Sequence, residues 1–158
     1  MERINRIIEH PLWLQNLQDI VRLEHNRQFC HHDIVHFLDV ARLAYIDALE
    51  HGIPASKESI YAAALLHDIG RAKQYIDGTP HHLASAQLAE IILTDCGFAE
   101  KEEILAAITQ HRSDGTASQG DLAGLIYRAD KASRMCMFCE AQDGCNWSTE
   151  KKNLTLKA

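Results

Sequence analysis

Apolar side chains recur at helical spacing along almost the whole chain, and this periodicity constrains the fold more than any other feature. They repeat at steps of three and four residues, and no convincing segment alternates apolar and polar residues as a half-buried strand would. One such run comprises Val35, Leu38, Val40, Leu43 and Ala44. The pattern predicts an all-α protein, a single compact bundle of about six to eight helices over residues 1–158.

Capping and helix-breaking residues predict where these helices begin and end. Pro11 interrupts a short first helix, and Asp33 is placed to cap a helix that closes before Gly52. Ser56 is placed to cap a helix over 57–69, with Gly70 as the residue just past its end. The remaining expectations are a loop over 71–80, helices over about 80–96, 100–111 and 121–138, a polar loop over 113–120, and a weakly periodic tail over 140–158.

The charge balance and the hydropathy pattern exclude several classes of partner. The chain has 158 residues and a formal net charge of −6, which disfavours binding to nucleic-acid polymers or to anionic membranes. The longest uncharged apolar run covers only residues 60–66, whereas a membrane-spanning helix needs about 20 residues. No signal peptide is visible, so we expect a cytoplasmic protein with reduced cysteines.

Polar side chains interrupt the helices at positions where apolar residues are expected. The chain contains 10 histidines, and one of them lies in the pair His67-Asp68 at the end of an apolar run. An imidazole buried beside a carboxylate is costly unless both are paired or bind a metal ion. Further polar residues of this kind are His36, His81, His111 and Asp130.

The order of these residues, H…HD…H…H…D, resembles that of the HD-domain superfamily of metal-dependent phosphohydrolases. The strings that carry the resemblance are HFLDVA from His36, LLHDIGR from Leu65, HHLASAQLA from His81, ITQH ending at His111, and ADK around Asp130. The resemblance implies an HD domain with its core at about 30–135, an N-terminal helical extension over 1–29 and a cysteine-containing C-terminal tail over 136–158. A homodimer is left open.

The resemblance also implies a ligand set for two divalent ions, drawn from Fe, Mn, Zn, Co or Ni. His36, His67, Asp68 and Asp130 would hold the first ion, and His81 and His111 would hold a second that shares Asp68. His82 is the alternative to His81 as a ligand. The one of the two that does not bind the ion would contact the ligand shell or the substrate. For His31 and His32 a surface or capping role is favoured over entry into the pocket, and His10, His25 and His51 are expected at the surface.

The implied reaction is hydrolysis of a small phosphorylated metabolite, most simply a nucleotide, by a hydroxide shared between the two ions. Asp68 would be catalytic, and Arg71 and Lys131 would bind the substrate phosphate, because they follow the motif residues directly. Lys73, Arg112 and Arg134 are further cations near the motif. Two alternatives stay open: a di-iron oxygenase of the HD fold, which would use nearly the same ligands, and a non-catalytic metal-dependent binding or sensor module.

Cysteines near the C-terminus form a second pattern that the resemblance does not explain. Cys136, Cys139 and Cys145 follow the spacing C-x2-C-x5-C, and Cys30 is a candidate fourth ligand. Two thiolates separated by two residues form a common half-site for Zn²⁺ or an iron–sulfur cluster. The alternative is that Cys136 and Cys139 are small apolar residues on a helix face.

Overall fold

The computed structural model describes residues 1–113, 115–116 and 120–156, and within them the chain is a bundle of α-helices without strands. The helices are α1 Glu2–Glu9, α2 Pro11–Leu23, α3 Ile34–His51, α4 Lys57–Leu66, α5 Arg71–Asp77, α6 His81–Asp95, α7 Glu102–Gln110 and α8 Leu122–Ala132. The tail adds three short 3-10 helices, Cys136–Phe138, Gln142–Gly144 and Thr149–Lys151. The predicted all-α class is confirmed.

Side-chain caps begin the helices where the sequence predicts them. The carboxylate of Asp33 accepts hydrogen bonds from the backbone N–H groups of Val35 and His36, and the hydroxyl of Ser56 accepts one from Ser59. Each cap satisfies an N–H group that has no partner within its own helix. These two caps fix the start of α3 and of α4.

Helix α4 runs through the centre of the bundle. Six of its residues are almost fully buried, namely Ile60, Ala62, Ala63, Ala64, Leu65 and Leu66. The three alanines let neighbouring helices approach closely, and α4 packs against α1, α3, α6, α7 and α8. Because α4 leads directly into His67 and Asp68, the packing places that pair in the middle of the protein, where both are fully buried.

The segment after α4 differs from the prediction in three ways. Helix α4 ends at Leu66 rather than at residue 69, and the predicted loop over 71–80 contains α5. Gly70 has φ −84° and precedes α5, so it is not a left-handed residue after α4. It is needed for a different reason: a Cβ here would lie 2.3 Å from the backbone nitrogen of Ser85. The serine hydroxyl accepts a hydrogen bond from the Gly70 N–H at 2.9 Å, which brings α5 and α6 together.

The C-terminal tail folds back onto the end of α8. This helix ends at Ala132 instead of the predicted residue 138. The amide of Asn153 donates to the carbonyls of Lys131, Ala132 and Arg134 at 2.8–3.1 Å, which satisfies acceptors that the helix end leaves free.

Part of the predicted polar loop over 113–120, residues 114 and 117–119, lies outside the described residues. Within the described residues, no helix has the length and apolar character needed to cross a membrane.

Candidate metal centre

Six side chains from different elements converge at the centre of the bundle. His36 lies in the first turn of α3, His67 and Asp68 follow α4, and His81 begins α6. His111 follows α7, and Asp130 lies near the end of α8. Their ligand atoms form two groups, and within each group all of these atoms lie within 4.8 Å of one another.

The first group comprises His36, His67, Asp68 and Asp130. Oxygen Oδ2 of Asp68 lies 3.4 Å from Nε2 of His67 and 3.9 Å from Nε2 of His36. Oxygen Oδ1 of Asp130 lies 4.0 Å and 3.8 Å from the same two nitrogens. Two imidazoles and two carboxylates therefore face a common point, a donor set that suits a divalent transition metal.

The second group comprises Asp68, His81 and His111. Here the other carboxylate oxygen, Asp68 Oδ1, lies 3.1 Å from Nε2 of His81 and 3.4 Å from Nε2 of His111. The two histidine nitrogens are 3.3 Å apart. Asp68 thus presents one oxygen to each group, and it is the residue common to both.

Hydrogen bonds on the far side of the imidazoles set which ring nitrogen faces the centre. Nδ1 of His67 lies 2.7 Å from the carbonyl of Ala64, and Nδ1 of His111 lies 2.6 Å from the carbonyl of Ile108. A carbonyl only accepts, so Nδ1 carries the proton in both rings and Nε2 keeps its lone pair. The same arrangement orients metal-binding histidines in proteins.

Unpartnered polar atoms show that the centre fits metal ions. Nε2 of His36, Nε2 of His67 and Oδ1 of Asp68 are buried without a hydrogen-bond partner. Buried polar atoms are normally hydrogen-bonded, and each one left unpaired costs free energy. Ions held by the two groups would give all three atoms a partner.

The electrostatics keep the two carboxylates charged and the His67 imidazole neutral. Burial opposes the ionisation of Asp68, but the Arg71 guanidinium outweighs it and holds the pKa of Asp68 well below its usual value. Burial likewise opposes the ionisation of Asp130, but the Lys131 ammonium outweighs it and lowers the pKa of Asp130. Burial lowers the pKa of His67 to about 3. These are the protonation states that a metal ion requires of its ligands.

The cations expected to bind phosphate lie against the two carboxylates. Nε of Arg71 donates to Asp68 Oδ2 at 2.8 Å, and Nζ of Lys131 donates to Asp130 Oδ2 at 2.5 Å. Nη2 of Arg134 is 3.7 Å from the same Asp130 oxygen. By contrast, Lys73 pairs with Asp77 on the exposed side of α5.

A cavity of about 700 Å³ opens onto the centre. Arg71, Lys131, Arg134 and Arg112 line it together with His81 and His111. The C-terminal tail supplies another wall, in which the ring of Trp147 lies 3.7 Å from the Arg134 guanidinium. With Lys151 and Tyr127, five cationic side chains and two aromatic rings therefore line this cavity of a net acidic protein.

His81, rather than His82, faces the other ligands. The His81 ring is buried and lies beside Asp68, whereas His82 is only partly buried and belongs to neither ligand group. Nδ1 of His81 lies 2.5 Å from the side-chain oxygen of Gln74, so that Nε2 points inward.

Three of the four cysteines proposed as ligands line the same cavity, but they do not form a group of clustered ligand atoms. Cys30, Cys136 and Cys139 line a second cavity of about 420 Å³ beside His36 and Asp130. Among the described residues, neither group of clustered ligand atoms includes a cysteine, and Cys145 does not line this cavity. The cysteine metal or cluster site stays a prediction.

The favoured surface or capping role is wrong for His32. This residue is 6% exposed, and its Nε2 lies 3.7 Å from Asp68 Oδ2, while His31 is exposed as expected. The carboxylate of Glu24, which the sequence does not single out, holds the His32 ring at 2.6 Å. The only sequence signal is that His32 precedes His36 by four residues, and Glu24 carries no signal at all.

Comparisons with known proteins find several similar sequences. The model of the HD domain family matches residues 33–135. The chain is 41% identical over 158 residues to an uncharacterized protein of Clostridium beijerinckii, with 99% of both chains covered. It is 31% identical to Ribonuclease Y of Oleidesulfovibrio alaskensis and to Ribonuclease Y of Nitratidesulfovibrio vulgaris, over 78% and 71% of this chain but only 22% and 20% of theirs. The chain thus spans about a fifth of these nucleases, and no solved structure gives a significant match.

Proposed function

The chain belongs to the HD domain family, and we propose that it is a phosphohydrolase that uses two divalent ions to hydrolyse a phosphoester or phosphoanhydride of a small metabolite. One observation carries the proposal. Asp68 presents its two oxygens to two separate groups of ligand atoms, which is the arrangement required of a carboxylate that bridges two ions. A single ion would leave one of these groups without a use.

The residues that would hold the ions are those of the two groups. His36, His67 and Asp130 would hold one ion, His81 and His111 the other, with Asp68 common to both. When bound, such ions supply Lewis acidity that activates water and polarises a phosphoryl oxygen. Fe, Mn, Zn, Co and Ni all suit a mixed set of imidazoles and carboxylates.

The chain's own cations would bind and orient the substrate. Arg71 offers a planar guanidinium at the edge of the cavity, a geometry suited to two phosphate oxygens. Lys131 offers a point charge in the lining of the same cavity. These charges oppose the repulsion between an anionic substrate and the buried carboxylates, so we assign Arg71 and Lys131 to substrate binding and Asp68 to the ions.

The dimensions and lining of the cavity favour a nucleotide. A volume of about 700 Å³ exceeds what a lone phosphate needs and falls in the usual range for small-molecule pockets. Tyr127 and Trp147 line it with the cations, and aromatic rings stack on nucleobases. A phosphate at the ions and a base near these rings would use both features of the cavity.

The experiment is a hydrolysis screen with the metal-loaded protein. The panel contains a nucleoside monophosphate, a dinucleoside polyphosphate, a cyclic dinucleotide and a short RNA, and release of phosphate or nucleotide is measured. Asp68→Ala is expected to abolish turnover without unfolding the chain. The exposed Asp143→Ala is the matched control and keeps full activity. If Asp68→Ala turns over any substrate at the wild-type rate, the proposal is wrong.

Hydrolysis of RNA is the second candidate, and it rests on the similarity to Ribonuclease Y. A net charge of −6 disfavours a polymer whose binding depends on phosphate neutralisation. Cleavage of the short RNA at a rate far above that of every small substrate would establish this candidate in place of the first.

A further inference from the structure

His32 lies at the metal centre although it precedes the segment that the family model matches. It stands between α2 and α3, is 6% exposed, and points Nε2 toward Asp68 Oδ2 at 3.7 Å. Its ring meets that of His36 edge-on, with centroids 5.3 Å apart. This position is unexpected for a residue that only connects two helices.

The carboxylate of Glu24 fixes the orientation of His32. It accepts from the His32 backbone N–H at 2.8 Å and lies 2.6 Å from Nδ1 of the same ring. The hydroxyl of Tyr75, on α5, donates to it at 2.5 Å. Burial opposes the charge of Glu24, but its bonds to His32 and Tyr75 lower its pKa to about 2.

An ionised carboxylate only accepts, so the Nδ1–H group of His32 donates a hydrogen bond to Glu24. The rings of His67 and His111 are held in the same way, with Nδ1 against an acceptor and Nε2 toward the centre. Nε2 of His32 is thereby turned toward Oδ2 of Asp68. Their separation of 3.7 Å falls among the 3.4–4.0 Å separations measured within the first ligand group.

We propose that His32 is a further ligand of the ion held by His36, His67, Asp68 and Asp130, with Glu24 as the carboxylate that orients it. The inference rests on the metal centre of the proposed function. His32 is not part of the group whose atoms all lie within 4.8 Å, so ligation draws its ring toward the other ligands. The chain of contacts from the ion would then run through His32 and Glu24 to Tyr75, joining the end of α2 to α5.

The test compares His32→Ala with His31→Ala, which removes the exposed neighbouring ring. Titration with Co²⁺ or Mn²⁺ gives the affinity of each ion, and the visible spectrum of the Co²⁺-loaded protein reports its coordination. Loss of a residue that orients a ligand lowers metal affinity by about 10–100-fold. We expect at least this loss for one ion in His32→Ala, with a changed Co²⁺ spectrum, and no change in His31→Ala.

Two further variants separate ligation from a purely structural role. Because removing a buried ring can unfold the chain, His32→Gln keeps a polar bond to Glu24 while offering a poorer ligand, and the same loss of affinity is expected. Glu24→Gln is expected to lower affinity by about 10–100-fold. If folded His32→Gln binds both ions as tightly as the wild type, with an unchanged Co²⁺ spectrum, His32 is not a ligand.

These outcomes are independent of the substrate. If the wild-type protein binds two ions and His32 variants weaken one of them, but no phosphorylated compound is hydrolysed, the proposed function fails and the ligand assignment stands. If hydrolysis occurs and the His32 variants bind both ions normally, the ligand assignment fails and the proposed function stands.

Discussion

Replacing Gly70 by alanine tests how the fold sets the distance between the two ligand groups. Gly70 lies two residues after Asp68, and its backbone packs directly on α6, which begins with His81. A Cβ at this position would lie 2.3 Å from the nitrogen of Ser85 and 2.7 Å from two atoms of Ala84. Most of these atoms are backbone, so no side-chain rotation can relieve the overlap.

The size of the effect follows from this geometry. Ordinary contacts of a Cβ begin at 3.4 Å, so α6 must retreat by about 1 Å in a core that is packed to crystal-like density. Overpacking of this kind costs about 1–3 kcal/mol of unfolding free energy. The retreat also moves His81 away from Asp68 Oδ1, now 3.1 Å distant, and this weakens the second ion more than the first.

Chemical denaturation and metal analysis measure both consequences. The control is Gly144→Ala, where an added Cβ meets nothing within 4 Å and the backbone needs no positive φ. We expect Gly70→Ala to lose stability and bound metal relative to this control. Equal stability and equal metal content in the two variants would refute the packing argument.

The remaining predictions concern the substrate cations, the role of oxygen and the dependence on pH. Arg71→Ala and Lys131→Ala should each lower the hydrolysis rate by about 10²–10³-fold with unchanged metal content, measured by kinetics beside elemental analysis; loss of metal in proportion to activity would assign them to the ligand shell. Hydrolysis should proceed without O₂ and with Zn²⁺ or Mn²⁺ in place of Fe, whereas activity confined to iron in air would establish the oxygenase alternative. The pKa of Glu24 is about 2 in the folded protein against its usual 4.5, so its carboxylate stabilises the fold above pH 4.5, and this contribution is lost as pH falls toward 2. The free energy of unfolding, measured by denaturation, should therefore fall less between pH 4.5 and 2 in Glu24→Gln than in the wild type. An equal fall in the two proteins would contradict the lowered pKa of Glu24.

The sequence predicts those parts of the structure that depend on local patterns. Asp33 and Ser56 cap helices where their side chains can reach free N–H groups, and this needs no tertiary information. The helix class follows from apolar periodicity. The six ligands can be proposed because polar residues such as His67 interrupt stretches that must be buried, and because their order resembles a known family.

Features that depend on packing between distant segments could not be predicted in this way. The turn signal Asp77-Gly78 predicts a loop over 71–80, yet the residues before it form α5, which packs against α2 and α6. The early end of α8 depends on Asn153, more than twenty residues away. The position of His32 depends on Glu24, whose carboxylate pairs with it only after α2 and α3 are brought together.

Metal stoichiometry in the wild type and in the double variant His81→Ala/His111→Ala tests the central claim most directly. The variant removes the second group's histidines and leaves His36, His67, Asp68 and Asp130 in place. Elemental analysis of anaerobically purified, reloaded protein is expected to give two ions per wild-type chain and one per variant chain. Two ions retained by the variant, or a single ion in the wild type, would contradict the account of Asp68 as a carboxylate that bridges two ions.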